Sequence, residues 1–451
     1  MTAIVTDNLR KNLSDLFLAE VNNASDSHQF YIGIGKSDVW NDTDTFVNPI
    51  RSDKQERDHR HNLQSVKKVE AASFVIPRYN WSAGTEFSAW SDASVGIPTN
   101  SYYVITDVNE VFICLKAAKN DSGVVQKSLN KPAVPAGKNI AEPFELADGY
   151  VWKFLYAISA GRANSFLSAG FIPVQNIPGA AGNAFETDQK SVQDSAIGGQ
   201  IIGIEIESNG EGYGSSTPTV TIRGNGTAAA ATATLSSGQV IKVEMDNESA
   251  GLGSGYDYAE VIFSGSPTKP AKARAVIGPR EGLGLDARND LKAGSVMLNI
   301  KPDGTVSDTF IVNNSFRQIS LFRNIQEKDS AAPGKIFDGV SSRTLRFMKS
   351  ANASNLTIGR EITDASTPPI KAYIDDIQDS DIYYHQNNSS GFGVFANGAT
   401  ISDGIQTITV DSASILSLVN PYSGDMIYME NRARILRDAA QQEDIKVILT
   451  V

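Results

Sequence analysis

Residues 422–451, YSGDMIYMENRARILRDAAQQEDIKVILTV, carry the pattern that decides the fold of this chain. Residues 426–431 predict a strand with Ile427 and Met429 on one face and Tyr428 and Glu430 on the other. Residues 445–451 predict a second strand that reaches Val451, because every second residue from Ile445 onward is apolar. A terminal strand frays unless a neighbouring strand holds it. We therefore expect it to complete a sheet begun much earlier, with both chain ends in one domain.

The composition is typical of a soluble globular protein with an acidic surface. The chain has 451 residues, which is too many for one compact core, so we expect two to four domains. Hydrophobic residues make up 41% and charged residues 20%, as in ordinary globular proteins. The formal net charge of −11 argues against a nucleic-acid partner, for which a basic patch is expected. It favours solubility and association with basic surfaces of protein partners.

Cysteine content and hydropathy restrict the possible sites and the compartment. Cys114 is the single cysteine, so an intrachain disulfide and a cysteine-based zinc site are excluded. Its neighbours in residues 111–115 are apolar, which predicts that Cys114 is buried as a small hydrophobic residue. No apolar run reaches the roughly 18 residues that span a bilayer, and the N-terminal residues lack a secretory pattern. We expect synthesis in the cytoplasm and no membrane partner.

Secondary-structure signals are mostly those of short strands. Residues 6–21 carry one clear amphipathic helix pattern, whose apolar positions are Leu9, Leu13, Leu16, Phe17 and Val21. Elsewhere short alternating segments, including residues 391–395 and 406–410, predict strands, while residues 411–418 predict one or two helical turns. Frequent short strands separated by turns favour antiparallel β-sandwich domains.

The segment from about residue 195 to 278 differs in composition from the rest of the chain. It is rich in Gly, Ala, Thr and Ser and contains an imperfect repeat, IGIEIESNGEGYGSSTPTVTIRGNGTAAAATATL followed by IKVEMDNESAGLGSGYDYAEVIFSGSPTKPAKARAV. Each copy has a Gly-Tyr pair, ending at Tyr213 or Tyr256, between two strand patterns. The repeat predicts two copies of one small β unit, stacked so that each covers the apolar face of the other.

One pair of histidines has the spacing of metal ligands. His59 and His61 would share a face on a strand, and nearby carboxylates add oxygen donors: Asp53, Glu56 and Asp58. The pattern fixes no further ligand. A solvated charged segment is therefore the preferred interpretation.

Two other patterns also have a functional and a structural interpretation. Glycines of the repeat could cradle a phosphate, but no helix follows them and the spacing is not GxGxxG. The preferred interpretation is therefore that these glycines form turns. These glycines are Gly210, Gly212, Gly214, Gly251, Gly253 and Gly255. Residues 41–44 and 375–376 could ligate calcium, yet neither has the remaining positions of a known loop. Asx-turns explain them without a metal.

Motifs of common enzymes are absent from the sequence. It contains no nucleophile elbow, P-loop, HExxH helix or local Cys–His signature. We therefore assign no catalytic, cofactor-binding or metal-binding residue and expect a protein that is not an enzyme and needs no cofactor. Glycoside hydrolases leave no such motif, because only the spatial separation of two carboxylates defines their site. That class of enzyme stays open.

Five separated blocks carry a resemblance. They are AIVTDNLRKNL with FYIGIGKSDVW near the N-terminus, VIPR-x-x-W at 75–81, DGYVW at 148–152, FRQIS at 316–320 and SG-x-MIYMENR at 423–432. In this order they resemble a baseplate wedge protein of T-even-like contractile-tailed bacteriophages. The resemblance implies a structural protein of the virion tail baseplate that forms a homodimer and binds other wedge proteins. It supplies no catalytic residues.

The blocks also define the expected domain organisation. Residues 1–195 and 280–451 would form a discontinuous wedge-type core, with the C-terminal strand returning to the N-terminal domain. Residues 196–279, which no block covers, would form an inserted Gly-rich two-repeat β domain. The fold class is then mainly β, a multi-domain antiparallel β-sandwich architecture with one N-terminal helix. The alternative function is a host-facing glycan-binding or depolymerising tail protein, with the insertion and exposed aromatics such as Trp81 and Trp90 contacting glycan.

Overall fold

The computed structural model confirms the mainly β, antiparallel fold class with an N-terminal helix. It describes residues 6–23, 28–36, 48–120, 122–246, 251–302, 311–328, 332, 334–438 and 441–450. The helices are α1 Asp7–Asn22, α2 Asp53–His61, α3 Ala160–Phe166, α4 Ala184–Asp194 and α5 Ala287–Asp290.

The strands are short and follow one another along the whole described chain. The first fifteen are β1 Phe30–Gly35, β2 Leu63–Lys68, β3 Ala71–Pro77, β4 Tyr103–Ile105, β5 Glu110–Lys116, β6 Phe144–Glu145, β7 Val151–Ala157, β8 Phe171–Val174, β9 Ile201–Ser208, β10 Val220–Gly224, β11 Thr227–Ala229, β12 Ala231–Ser236, β13 Gln239–Met245, β14 Leu252–Ser254 and β15 Ala259–Phe263. The others are β16 Lys272–Ile277, β17 Ser295–Ile300, β18 Asn314–Arg323, β19 Gln326–Glu327, β20 Ser341–Arg343, β21 Arg346–Lys349, β22 Glu361–Asp364, β23 Lys371–Gln378, β24 Asp381–His385, β25 Thr400–Ser402, β26 Thr407–Thr409, β27 Ser412–Leu416, β28 Val419–Asn420, β29 Asp425–Arg437 and β30 Ile445–Thr450.

The chain divides into two compact units. Unit 1 comprises Met1–Leu16, Ser73–Met297 and Ile448–Val451, and unit 2 comprises Phe17–Ala72 and Leu298–Val447. The predicted insertion, residues 196–279, lies within unit 1. The predicted three-segment domain organisation stays a prediction.

Unit 2 contains two large antiparallel sheets. The first has the order β20-β2-β1-β18-β29, so strands from three distant parts of the chain are neighbours. Its core contains Tyr31, Val66 and Phe322, all fully buried. The second sheet has seven strands, in the order β26-β25-β22-β23-β24-β21-β27. It covers a separate apolar core that includes Tyr384 and Phe395.

An aromatic core fills the first sheet of unit 1, which has the order β4-β5-β7-β6. Phe112, Trp152 and Phe154 are buried there, and the Phe112 and Phe154 rings meet edge to face with centroids 5.6 Å apart. Cys114 belongs to the same core and is fully buried, as predicted. Burial in this apolar surrounding raises the pKa of its thiol.

The C-terminal strand β30 lies at the edge of a four-stranded sheet with the order β30-β17-β3-β8. Ile445 and Val447 are buried, which fits the alternation seen in the sequence. The Thr450 hydroxyl lies 2.9 Å from that of Ser295. The predicted strand therefore forms over Ile445–Thr450, and Val451 lies outside the described residues.

The two repeats of the insertion exchange strands. The first strand of each copy pairs with the last strand of the other, β9 with β16 and β13 with β12, while the middle strands β10 and β15 pair together. Tyr213 and Tyr256 occupy equivalent places in two separate small cores. The copies therefore interleave instead of stacking as predicted, because each copy provides the pairing partner that the other lacks.

Some predicted elements were wrong. Residues 391–395 form no strand: Gly391 has φ +73°, and the Phe395 carbonyl accepts a hydrogen bond from the Ser414 N–H. The helical turns predicted at 411–418 are strand β27, because pairing with β21 outweighs local propensity. Helix α4 was missed, although Asn183 caps it by accepting a hydrogen bond from the Glu186 N–H at 3.0 Å.

Candidate interaction groove and its surroundings

Helix α2 supports a surface groove of unit 2. Ser52 caps the helix by accepting a hydrogen bond from the Gln55 N–H, and Glu56 pairs with Arg60 one turn later at 2.8 Å. The Arg60 guanidinium, only 7% exposed, also donates to the carbonyl oxygens of Pro421, Ser423 and Gly424 at 2.7–2.8 Å. These bonds hold the turn that carries Tyr422.

Three rings form one wall of the groove. The Nδ1 atom of His61 lies 3.0 Å from the Tyr422 hydroxyl, and the His61 ring centroid lies 4.6 Å from that of Phe392. Phe392 is 57% exposed and Tyr422 48% exposed, so both present apolar surface to solvent. Burial lowers the pKa of His61, which favours a neutral ring at neutral pH.

The cavity of the groove measures about 300 Å³. We call it the Tyr422 groove, and its lining is Arg60, His61, Leu63, Thr344, Leu345, Arg346, Tyr384, His385, Gln386, Phe392, Gly393, Val394, Leu416, Pro421 and Tyr422. This volume is at the small end of the range for ligand pockets and has room for one or two side chains. Of the lining residues, buried His385 pairs with buried Asp375 at 2.6 Å, and Gln64 donates a hydrogen bond to Asp375 at 2.9 Å.

A second exposed apolar surface lies on helix α1. Leu9, Leu13 and Leu16 are 48%, 43% and 69% exposed, and they form what we call the leucine stripe. Their i, i+4, i+7 spacing places them along one helix face. The fully buried residue of α1 is Ser14. The predicted helix therefore forms, but these leucines do not face the core of the chain.

Unit 1 contains buried charges beside its aromatic core. Asp290 is 1% exposed, and its Oδ2 accepts a hydrogen bond from the Gly284 N–H at 2.7 Å. Burial raises the pKa of Asp290 to about 7 and lowers the pKa of Lys153, which is 5% exposed, to about 8. The two opposite charges partly offset both shifts.

The two histidines considered as metal ligands point to different surroundings, because both lie on helix α2. His59 and His61 lie on α2, not on a strand; His59 is fully buried, whereas His61 lines the groove. Burial, reinforced by the charge of Arg60, lowers the pKa of His59 to about 4. The interpretation as a solvated segment was wrong for His59 and Arg60. Over the described ranges, no three His, Cys, Asp or Glu side chains are grouped to hold a metal ion.

The other candidate patterns have structural roles where they are described. Gly210, Gly212 and Gly214 have φ values of +65°, +86° and +64°, which glycine adopts without strain, so they form turns. Asp375 is buried against His385 and does not form an exposed Asx-turn. Residues 41–44 lie outside the described residues.

The aromatic residues expected to contact glycan are not on an open surface. Trp90 is 7% exposed, and its indole N–H donates to the Asp290 carbonyl at 3.3 Å. Trp81 is half-buried, packs against the aromatic core and donates to the Ser128 hydroxyl at 3.2 Å. The expectation that these two side chains are exposed was wrong, because Trp90 packs against the end of helix α5 and Trp81 against the aromatic core.

No protein-family model and no curated protein sequence matches this chain. None of the helices that the structure describes is long and apolar enough to cross a membrane.

The groove residues that the sequence analysis missed are Arg346, Phe392 and Tyr422. A partial signal existed for two of them, since Phe392 and Tyr422 each lie in a turn-rich segment, SSGFG and NPYSG, that favours exposure. No local sequence pattern predicts that Phe392 and Tyr422 lie near His61, because the groove is assembled from segments far apart in the sequence. Its exposed rings, and the guanidinium of Arg346 in its lining, equip it for binding.

Proposed function

We propose that this chain is a structural component of the tail baseplate wedge of a T-even-like contractile-tailed bacteriophage. It forms a homodimer, joins other wedge proteins through protein–protein contacts during assembly and contraction, and catalyses no reaction. The observation that carries the proposal is the ordered set of five sequence blocks, which extends from the first residues of the chain to its last strands.

The positions of these blocks in the fold support a structural role. Three of them contribute the adjacent strands β1, β18 and β29 of one sheet in unit 2. Phe316 and Ile319 of the FRQIS block are 1% exposed, and Trp152 of the DGYVW block is fully buried. The shared residues therefore build sheet cores, which is typical of a common fold and not of a common catalytic site.

The leucine stripe supports association with another protein. Three leucines on one helix face expose apolar surface to solvent. Burying that surface against a partner would stabilise the complex by about 25 cal/mol for each Å² removed from water. Leu13 and Leu16 belong to this stripe, and a self-complementary helix face is one way to form a two-fold contact.

Light scattering on the purified chain tests the homodimer. The expected mass is twice that of the 48.4 kDa chain. Leu13→Glu with Leu16→Glu should reduce it to one chain, while Leu129→Glu, at a 67% exposed leucine, should leave the dimer intact. A wild-type monomer at high concentration would contradict the homodimer.

Labelling of intact virions tests the place in the tail. Antibodies raised against the purified chain should bind the baseplate end of tails from the phage that encodes it. Labelling restricted to fibre tips, together with sugar release from host polysaccharide, would instead support the depolymerising alternative.

A further inference from the structure

The Tyr422 groove carries positive charge in an acidic protein. Its lining includes two arginines, Arg60 and Arg346, and no Asp or Glu among the described residues that form it. The whole chain has a formal net charge of −11. The groove therefore offers a locally cationic surface to an anionic group.

Arg346 is the cation that remains available. Arg60 is occupied by Glu56 and three carbonyl oxygens, and His385 by Asp375. Across the described parts of the chain, Arg346 forms no ion pair and no side-chain hydrogen bond, although its charge acts on the Tyr384 and Tyr422 hydroxyls. Burial raises the pKa of both hydroxyls, and the Arg346 charge opposes that increase. Its guanidinium can thus donate to a carboxylate.

The rest of the groove is apolar and held in place. Phe392 and Val394 are 57% and 51% exposed, and the His61 ring contacts the rings of both Phe392 and Tyr422. Gln386 supports the loop that carries Phe392 and Val394. Its amide oxygen accepts a hydrogen bond from the Gly393 N–H, and its amide nitrogen donates one to the Lys371 carbonyl. Rigid aromatic surface of this kind binds with a small loss of conformational entropy.

We propose that the Tyr422 groove binds an extended segment of a partner protein in which an aromatic or large aliphatic side chain lies next to a carboxylate. The apolar side chain packs against the wall formed by Phe392, His61 and Tyr422, and the carboxylate accepts hydrogen bonds from Arg346. This chemistry fits a peptide better than a glycan. Sugar hydroxyls require several polar partners, whereas the one amide of the lining is already bonded on both sides.

Peptide selection on the full-length chain tests this inference. A displayed library of random peptides of about ten residues is selected on the wild-type chain, and the enriched peptides are then measured by fluorescence polarisation. Enriched sequences should combine Phe, Tyr, Trp or Leu with Asp or Glu. Arg346→Gln and Phe392→Ser should each weaken binding by about tenfold or more, the size expected for a charge-assisted hydrogen bond or a buried aromatic anchor.

Matched controls separate the groove from general surface effects. Arg432→Gln and Phe185→Ser change an arginine and a phenylalanine that are 47% and 44% exposed elsewhere, and both should bind like wild type. Unfolding midpoints of all variants are compared, so that loss of the fold is not mistaken for loss of the site. The inference is overturned by no enrichment, by peptides without a carboxylate, or by equal binding to Arg346→Gln. Binding of polygalacturonate in place of peptides would assign the groove to acidic glycans and would also overturn it.

Discussion

The Nζ atom of Lys116 lies 2.9 Å from the Glu244 carboxylate, which joins strand β5 of the aromatic core to strand β13 of the insertion. Lys116 also pairs with Glu145 of β6 at 3.1 Å, so it keeps a partner when Glu244 is absent. A partly exposed pair of this kind contributes at most about 1 kcal/mol to stability. The contact therefore joins the insertion to the β4-β5-β7-β6 sheet, but the aromatic core of that sheet does not require it.

Replacing residues 200–278 by a short Gly-Ser linker should leave a folded chain. The Gly199 N–H donates to the Pro279 carbonyl at 3.2 Å, so the entry and exit points are already adjacent. Closing such a loop costs little entropy. Hydrogen exchange checks this, with Glu244→Gln as the control that removes the contact and keeps the insertion. Loss of protection in β7 or β18 would show that the insertion is part of the core.

Tyr213→Phe should destabilise the insertion by about 1–3 kcal/mol. The Ala271 N–H donates a hydrogen bond to the Tyr213 hydroxyl at 2.9 Å, and the change would leave this N–H buried without an acceptor. Tyr256→Phe, at the equivalent position of the other repeat, is the matched control and should change stability little. Urea unfolding followed by tyrosine fluorescence measures both. Equal effects of the two changes would contradict this account.

The unfolding free energy should fall as pH rises from about 4 to about 7, because Asp290 has its pKa raised by burial from 3.8 to about 7. In this window the unfolded state has released the proton and the folded state still binds it, so each pH unit costs up to about 1.4 kcal/mol. Asp290→Asn keeps an acceptor for Gly284 and should remove this slope, while Asp194→Asn, at a 62% exposed carboxylate, should not.

Because of Lys153, we expect the unfolding free energy to change with pH in the opposite direction at higher pH. Burial lowers its pKa from 10.5 to about 8, so stability should rise between these values as the unfolded state alone binds the proton. Thermal unfolding across the pH range measures both slopes. A profile unchanged by Asp290→Asn would refute the role of Asp290.

Removal of residues 445–451 should cause more than local fraying. Ile445 and Val447 are 7% and 4% exposed, and their loss would uncover apolar surface and leave strand hydrogen bonds unpaired. Each buried unpaired group costs on the order of 1–3 kcal/mol, a large part of the ~5–15 kcal/mol that stabilises a domain. Circular dichroism and solubility measure the effect. A truncated chain that melts at the parent temperature would contradict it.

Local pattern in the sequence was enough to locate many elements. Helix α1, the buried Cys114 strand and the terminal strand β30 all follow from periodicity over a few residues, because side-chain alternation is a local property. The same reasoning failed for β27, whose strand conformation depends on pairing with β21. It also missed α4, whose cap and short length give a weak signal.

The sequence by itself determined a mainly β chain with an internal repeat, since composition and repetition are visible along the chain. Only the tertiary structure decided which surfaces face solvent. It buries Trp90, which the glycan-binding alternative required to be exposed, and it exposes Leu16, which the helix periodicity placed on the apolar face. It also brings Phe392 and Tyr422 to His61. Strand pairing between distant segments sets these positions, and no local preference encodes the partner of a strand.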